Sequence, residues 1–350
     1  MKLAIISFTE HGSRLNRMLG ASLALQGYDC ESFCMKKYAE AYELQALEEP
    51  LQDWTGRMFS EKDAILFIGA TGIAVRSIAP FVKDKMVDPA IVVMDEKGMF
   101  AISLLSGHLG GANELTGCLA NLTGAIPVIT TATDVNGRFA VDVFAKKNRL
   151  YIKERKLAKT VSADILDEKP VGFFSELPVI GELPEELSVW SEAEVFEGKT
   201  GICVSLDERR QPYRQTLHLI PQIVTLGIGC KKDTPFEKIE ERVLSALAHA
   251  GISTHALRRM ASIDLKAEEK GLLAFAEKYK LDFETFSAKE LLRAEGEFSS
   301  SSFVQSVTGV DNVCERSAIL AGGGKLIQKK SAGDGVTVAL AMEDWSVDFG

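Results

Sequence analysis

The chain has 350 residues, 46% of them hydrophobic and 25% charged, with a formal net charge of −9. Such a composition can bury a sizeable core, and the length predicts two or three domains. The acidic balance argues against nucleic acid or an anionic membrane as the main partner, so any anionic small ligand would need locally concentrated basic groups. Residues 2–8 are too short an apolar run for a signal peptide or a span, and no later run approaches the roughly 18 apolar residues of a membrane helix; the expected location is the cytoplasm. Cys30, Cys34, Cys118, Cys203, Cys230 and Cys314 are mostly scattered, which indicates neither a disulfide framework nor a zinc site.

Apolar periodicity predicts a strand over residues 2–8 and a helix over 14–26, then a strand over 64–69, a glycine turn and a helix over 73–81. Two apolar runs, 90–94 and 100–105, are joined by the hairpin-type turn Asp95-Glu96-Lys97-Gly98, and a helix over 112–122 leads into a run at 126–130. Residues 145–221 change texture: prolines cluster there with acidic patches and short β-like runs at 171–174, 201–206 and 216–220. Alternation then resumes with strands at 223–228, 257–263 and 281–286, helices at 236–250, 268–279, 288–293 and 312–321, and a hairpin of 325–330 with 336–342. In the 236–250 helix Phe236, Ile239, Val243, Leu247 and Ala250 share a face; Thr234 is placed as its N-cap, with Pro235 at the first helical position and Glu237 completing a capping box. The predicted fold class is α/β: two open α/β-sheet domains, 1–144 and 222–350, joined by a small middle domain, 145–221.

Two glycine turns stand out. Ile68-Gly69-Ala70-Thr71-Gly72-Ile73 and Leu105-Ser106-Gly107-His108-Leu109-Gly110-Gly111-Ala112 each follow an apolar run and precede a helix. Backbone N–H groups and the positive helix end face an anion in that arrangement, so Gly69, Thr71, Gly72, Ser106, Gly110, Gly111 and Asn113 are read together as one ligand site. His108 is the residue best suited to proton transfer near neutral pH, against the alternative of a loop histidine that only shapes the backbone. Glu114 is either a second acid–base group or a complement to the helix dipole, and Arg76 either a carboxylate clamp or a solvated arginine. Ser106 lacks the flanking glycines of a nucleophile elbow, since Leu104 and His108 replace them.

Gly227-Ile228-Gly229-Cys230-Lys231-Lys232 suggests a dinucleotide fingerprint, but Lys232 stands at its third glycine; Lys231 and Lys232 still suit a carboxylate or phosphate. Gly198-Lys199-Thr200 ends like a phosphate loop, although Ala193 replaces its first glycine and Glu194 and Glu197 would repel phosphates. Asp264 and Lys266 form either a proton-handling pair or a helix cap. Glu315 and Arg316 read as an exposed helical pair, and Ser299-Ser300-Ser301-Ser302 as a solvated loop.

Residues 68–76 and 104–115, with Asp88-Pro89-Ala90, Thr130-Thr131-Ala132-Thr133-Asp134, Gly227-Ile228-Gly229-Cys230, residues 261–269 and the hairpin after Lys325, resemble the cobalt-precorrin-5A hydrolase (CbiG) family of the oxygen-independent cobalamin pathway. The part after 222 is similar to the stand-alone CobE proteins, although Glu315-Arg316-Ser317-Ala318 departs from the alanine-rich helix expected there. The resemblance implies opening of a δ-lactone on a cobalt-containing tetrapyrrole, then carbon–carbon cleavage that expels acetaldehyde. It implies a corrinoid substrate that brings its own cobalt, no protein-held metal or other cofactor, and transient contact with other enzymes of the pathway. For that chemistry His108 is assigned as general base, kept neutral by a nearby helix N-terminus, and N–H groups around Gly110-Gly111 or Gly69-Ala70-Thr71-Gly72 as oxyanion donors. Arg76, Lys231, Lys232 and Lys266 are assigned as carboxylate clamps. The alternative is a non-catalytic carrier of a corrinoid intermediate, which needs clamps but no tuned proton-transfer group.

Overall fold

The computed structural model describes residues 1–84, 87–108, 110–189, 196 and 198–350. The chain divides into two compact units, Met1–Val143 and Phe144–Gly350.

The first unit is a seven-stranded sheet of β1 (Lys2–Ser7), β2 (Asp29–Met35), β3 (Gln45–Leu47), β4 (Ala64–Ile68), β5 (Ala90–Met94), β6 (Phe100–Leu105) and β7 (Ile126–Val128), in the order β3-β2-β1-β4-β5-β6-β7. Strands β1 to β5 are parallel, β6 turns back against β5, and β7 runs with β6. Because side chains alternate along a strand, Leu3 and Ile5 enter one core with Leu19, Leu23 and Leu119, while Ala4 and Ile6 enter another with Trp54, Met58 and Ile78. Burial on both faces is why β1, β4 and β5 read as continuous apolar runs. The runs at 90–94 and 100–105 and the hairpin between them match β5 and β6 residue for residue.

That antiparallel turn separates the two glycine loops. The first follows β4 beside β1, at the crevice where the strand order reverses, and the Gly69 N–H donates to Met94 O at the carboxyl end of β5 (2.8 Å). The second follows β6, which runs the other way, so Gly110 lies beside Ala90 at the amino end of β5. The two loops are therefore about 15 Å apart along the sheet. They do not form one site.

The second unit holds a five-stranded sheet of β8 (Leu150–Ile152), β9 (Val171–Ser175), β11 (Leu187–Val189), β12 (Thr200–Val204) and β13 (Gln215–Pro221), ordered β11-β9-β12-β13-β8. A second sheet is ordered β16-β15-β14-β18-β17, from β14 (Val224–Cys230), β15 (Leu257–Ile263), β16 (Asp282–Phe286), β17 (Lys325–Gly333) and β18 (Val336–Met342). A short parallel pair, β10 (Val179–Ile180) with β19 (Val347–Asp348), ties the chain's last residues back to the middle segment. The predicted helix at 236–250 is found as Phe236–Ala250 with Ile239, Val243 and Leu247 buried. Its N-cap is Pro235 without a side-chain cap, because the Thr234 hydroxyl donates instead to Lys231 O (2.7 Å).

Two other expectations fail here. Glu315 is fully buried, accepting from the Ser299 N–H (2.7 Å), the Ser299 hydroxyl (2.8 Å) and the Lys330 N–H (2.6 Å). Arg316 pairs with Asp311 (2.9 Å) and lies over the Phe298 ring, so the pair is structural and the serine run is anchored rather than solvated. Part of that run also starts the helix Ser302–Thr308, capped by Ser301. In the phosphate-loop reading, Thr200 opens β12, and residues 193, 194 and 197 lie outside those described.

Almost all of the core of the second sheet comes from residues after 220, with Tyr151, Leu177 and Leu206 packed against it from the middle segment. A chain starting at Gln222 is therefore expected to unfold cooperatively in calorimetry, at a lower temperature than the full chain because those three side chains are lost. A flat trace from that chain would place the boundary elsewhere.

Candidate active site

The second glycine loop is shaped by close packing. A Cβ at Gly110 would be 2.7 Å from the backbone oxygen of Ser106, which excludes a side chain there, and one at Gly107 would sit 2.7 Å from Asn113 Oδ1, displacing a side chain held by three hydrogen bonds. Ser106 takes a left-handed φ of +56° and Gly111 one of +90°. The backbone then closes on itself: the N–H groups of Gly111, Ala112 and Asn113 donate to His108 O, Ser106 O and Gly107 O. With its hydrogen committed, Gly111 is not an oxyanion donor. Ser106 Oγ is buried and has no hydrogen-bond partner among the described residues.

The tight loop presents His108 to two carboxylates. Nε2–H donates to Asp134 Oδ2 and lies 3.2 Å from Thr133 Oγ1, while Nδ1–H donates to Asp142 Oδ1 at 3.2 Å. Asp134 sits in the short helix Ala132–Val135 after β7, and Asp142 in the first turn of Val141–Lys147. Strands β6 and β7 are parallel, which delivers both segments to the same sheet end. Asn113 fixes the far side: Nδ2 donates to Asp134 Oδ2 (3.0 Å) and Thr131 Oγ1 (3.1 Å), and Oδ1 accepts from Ser103 Oγ (2.6 Å). The imidazole is 11% exposed, Asp142 19% and Asp134 37%, so the cluster is sheltered and opens on the Asp134 side.

This environment reverses the expected proton affinity. The hydrogen bond to Asp142, helped by Asp134 and opposed only by burial, raises the His108 pKa from 6.5 to about 9. The helix N-terminus is outweighed by two carboxylates, and at neutral pH His108 is an imidazolium. A folded-state value above the unfolded one means that its contribution to stability is complete below about pH 6.5 and is lost as pH rises through about 9. NMR titration of His108 is expected to give a midpoint near 9, falling in Asp142→Asn. An unshifted midpoint in that variant would remove Asp142 as the cause.

The remaining expected residues are elsewhere. Glu114 is exposed and makes no bond to the His108 cluster among the described residues; it acts instead, after burial and Cys118, among the groups that push the Tyr28 phenol up to about 12. A Cβ at Gly69 would lie 2.9 Å from the Phe8 ring, which would have to move to admit it, and Arg76 folds back so that Nη1 donates to Gly72 O (3.1 Å). Thr71 and Gly72 open the helix Thr71–Ile78. In the second unit Gly227 and Gly229 lie inside β14 rather than in a phosphate-binding turn. Lys231 and Lys232 are exposed beside the helix Phe236–Ala250. Lys266 pairs with Glu269 (2.9 Å) rather than Asp264. Burial alone would raise Glu269, but Lys266 and the N–H groups of Asp233 and Thr234 hold it below the usual carboxylate range. Asp264 is exposed and accepts from the Leu265 N–H (2.7 Å). Sequence reasoning missed Asp134 and Asp142 as site residues; Asp134 ends a string that carries the family resemblance, whereas nothing local marks Asp142.

Among the described residues no three His, Cys, Asp or Glu side chains are arranged to hold a metal ion, and no helix is long and apolar enough to cross a membrane. The fold and the His–Asp cluster define an α/β protein with a sheltered acid–base centre at one end of a doubly wound sheet. Family comparison is consistent along the chain: "Cobalamin synthesis G N-terminal" matches residues 53–134, "Cobalamin biosynthesis central region" 139–221 and "Cobalamin synthesis G C-terminus" 224–341. The cobalt-precorrin-5A hydrolase of Salmonella typhimurium is 36% identical over 97% of each chain, and that of Priestia megaterium 30% identical over 97% of this chain and 95% of its own. Protein CobE of a Sinorhizobium species is 33% identical over 34% of this chain and 79% of its own. The chain belongs to the cobalamin synthesis G (CbiG) family.

Proposed function

We propose that this protein opens the δ-lactone of cobalt-precorrin-5A and releases acetaldehyde, giving cobalt-precorrin-5B. Full-length similarity to two relatives named for that hydrolysis carries the assignment, and the His108 cluster supplies the chemistry. Cobalt belongs to the substrate, and no cofactor held by the protein is invoked.

Water attacking the lactone carbonyl puts negative charge on the carbonyl oxygen. His108, fixed at Nδ1 by Asp142, donates from Nε2 to that oxygen as an imidazolium. Asp134, released from Nε2 and still held by Asn113, takes the proton from the attacking water. As the tetrahedral intermediate collapses, the acyl carbon–oxygen bond breaks and Asp134 passes its proton to the departing alkoxide, leaving a hydroxyl, a carboxylic acid that ionises, and Asp134 again as a carboxylate. Asp134 then takes the hydroxyl proton as the adjacent carbon–carbon bond breaks; the electron pair of that bond passes into the macrocycle and acetaldehyde departs. His108 thus acts as acid and electrostatic partner, with Asp134 as the base.

Anaerobic incubation of the purified protein with cobalt-precorrin-5A, with acetaldehyde trapped as a hydrazone, tests the assignment. Stoichiometric acetaldehyde is expected. Recovery of intact, bound corrinoid would instead favour a carrier.

A further inference from the structure

We propose that a cationic cavity in the second unit, remote in sequence from His108, is a docking site for the carboxylate-bearing edge of a flat tetrapyrrole. The inference rests on the corrinoid reading above. The cavity has a volume of about 780 Å³ and is lined by Lys146, Arg149, Arg258, Lys278 and Lys280, with no carboxylate among its lining residues. Five cations around one cavity stand out in a chain of net charge −9. Glu240 answers Lys278 and Glu343 answers Arg149 and Arg258, so five cations against two carboxylates leave net positive potential where a polyanion would enter.

The geometry selects carboxylates. Arg149 and Arg258 already hold the two oxygens of one carboxylate, Glu343 just behind the cavity, at 2.9 and 2.8 Å. Planar guanidinium groups in that pose present further donors to a second carboxylate. Arg149 takes a left-handed conformation, φ +52°, in the position just before β8. Lys280, also left-handed at φ +54°, caps the helix Lys270–Tyr279 and carries no ion pair among the described residues. One wall is flat and conjugated: Tyr151 and His255 stack with centroids 3.8 Å apart and planes within 11°. Burial holds His255 below its usual range, so this wall is neutral at physiological pH and suits a macrocycle face. Several separate cations beside an aromatic wall fit a ring with carboxylates on its periphery better than a compact phosphate.

Uroporphyrin III, a stable octacarboxylate, is the probe, and its fluorescence on titration with the full chain gives the affinity. Lys280→Glu and Arg258→Gln are each expected to weaken binding at least tenfold, and raising salt from about 50 to 500 mM to weaken it further, as for exposed charges under screening. The pair Lys231→Ala/Lys232→Ala is expected to change affinity less than twofold. Circular dichroism and melting temperature confirm that each variant is folded, and Lys280→Ala, a milder change, is expected to lose threefold or more. Unchanged affinity in folded Lys280→Glu and Arg258→Gln, loss confined to the Lys231/Lys232 variant, or displacement by pyrophosphate at lower concentration than by tricarballylate would each overturn the site. Because binding is read without turnover, the site can stand even if no acetaldehyde is released, and a failure here leaves the hydrolase reading untouched.

Discussion

Replacing His108 by alanine is expected to slow acetaldehyde release from bound substrate by a factor of about 10² to 10⁴, the range for losing a positioned proton-transfer group or an oxyanion donor. The size follows from the geometry. His108 is the group shared by Asp134, Asp142 and Thr133, so its loss leaves two carboxylates facing each other without the cation between them. Repulsion between them adds to the loss of the donor and would disfavour the negative charge that develops on the lactone. The loop itself should persist, because it closes through backbone bonds and glycine packing rather than through the imidazole side chain. Anaerobic single-turnover measurement, with circular dichroism as a folding control, separates this from a merely structural role: a near-normal rate at saturation would exclude His108 from the chemistry.

The second large effect is on stability. At Gly227 an added Cβ would overlap the carbonyl oxygen of Cys314 and lie 2.8 Å from Ala318 Cβ, because the helix Cys314–Gly322 crosses β14 at that point. Neither obstacle is the far end of a flexible side chain, so strand and helix must separate, undoing contacts such as Ser317 Oγ to Ala261 O (3.2 Å). Gly227→Ala should cost about 3 kcal/mol, which in a unit of this size lowers its melting temperature by roughly 10 °C. Two residues on, a Cβ at Gly229 meets only the Thr337 hydroxyl at 2.8 Å, which can rotate away, so Gly229→Ala should cost less than about 1 kcal/mol. Differential scanning calorimetry of both variants tests the contrast. Equal, small effects would show that Gly227 is not a packing glycine.

How far the sequence could be read depended on whether the cause of a structure was local. Strands buried on both faces, such as Ala90–Met94, are continuous apolar runs, and the sequence locates this one to the residue. Periodicity assigns no element over 27–63, where β2, β3 and two helices form. The reason is physical: Asp29-Cys30-Glu31-Ser32-Phe33-Cys34-Met35 has only Phe33 and Cys34 buried, too few to produce a run or an alternation. The helix Arg155–Leu166 escaped similarly, with Val161 and Ile165 its buried residues. Glu315 looked exposed because its partners, Ser299 and Lys330, come from distant segments.

The candidate site divides in the same way. Glycine spacing and the histidine marked the loop itself, but the direction of β6 removed Gly69, Thr71, Gly72 and Arg76 from its neighbourhood. A single antiparallel turn decides that, and glycine spacing cannot reveal it. The adjacent helix end points to a neutral His108, whereas Asp142 and Asp134 decide its protonation through contacts between segments. A tertiary carboxylate pair outweighs a local dipole.

The most direct test of the account is the pH dependence of single-turnover acetaldehyde release from cobalt-precorrin-5A, measured anaerobically between pH 6 and 10 with saturating protein. Because His108 acts as the imidazolium, the rate should hold across neutral pH and fall as pH rises through about 9, with Asp142→Asn moving that fall to lower pH. A rate that climbs through pH 9 would mean that the neutral imidazole is the working form and would contradict the proposed roles of His108 and Asp134.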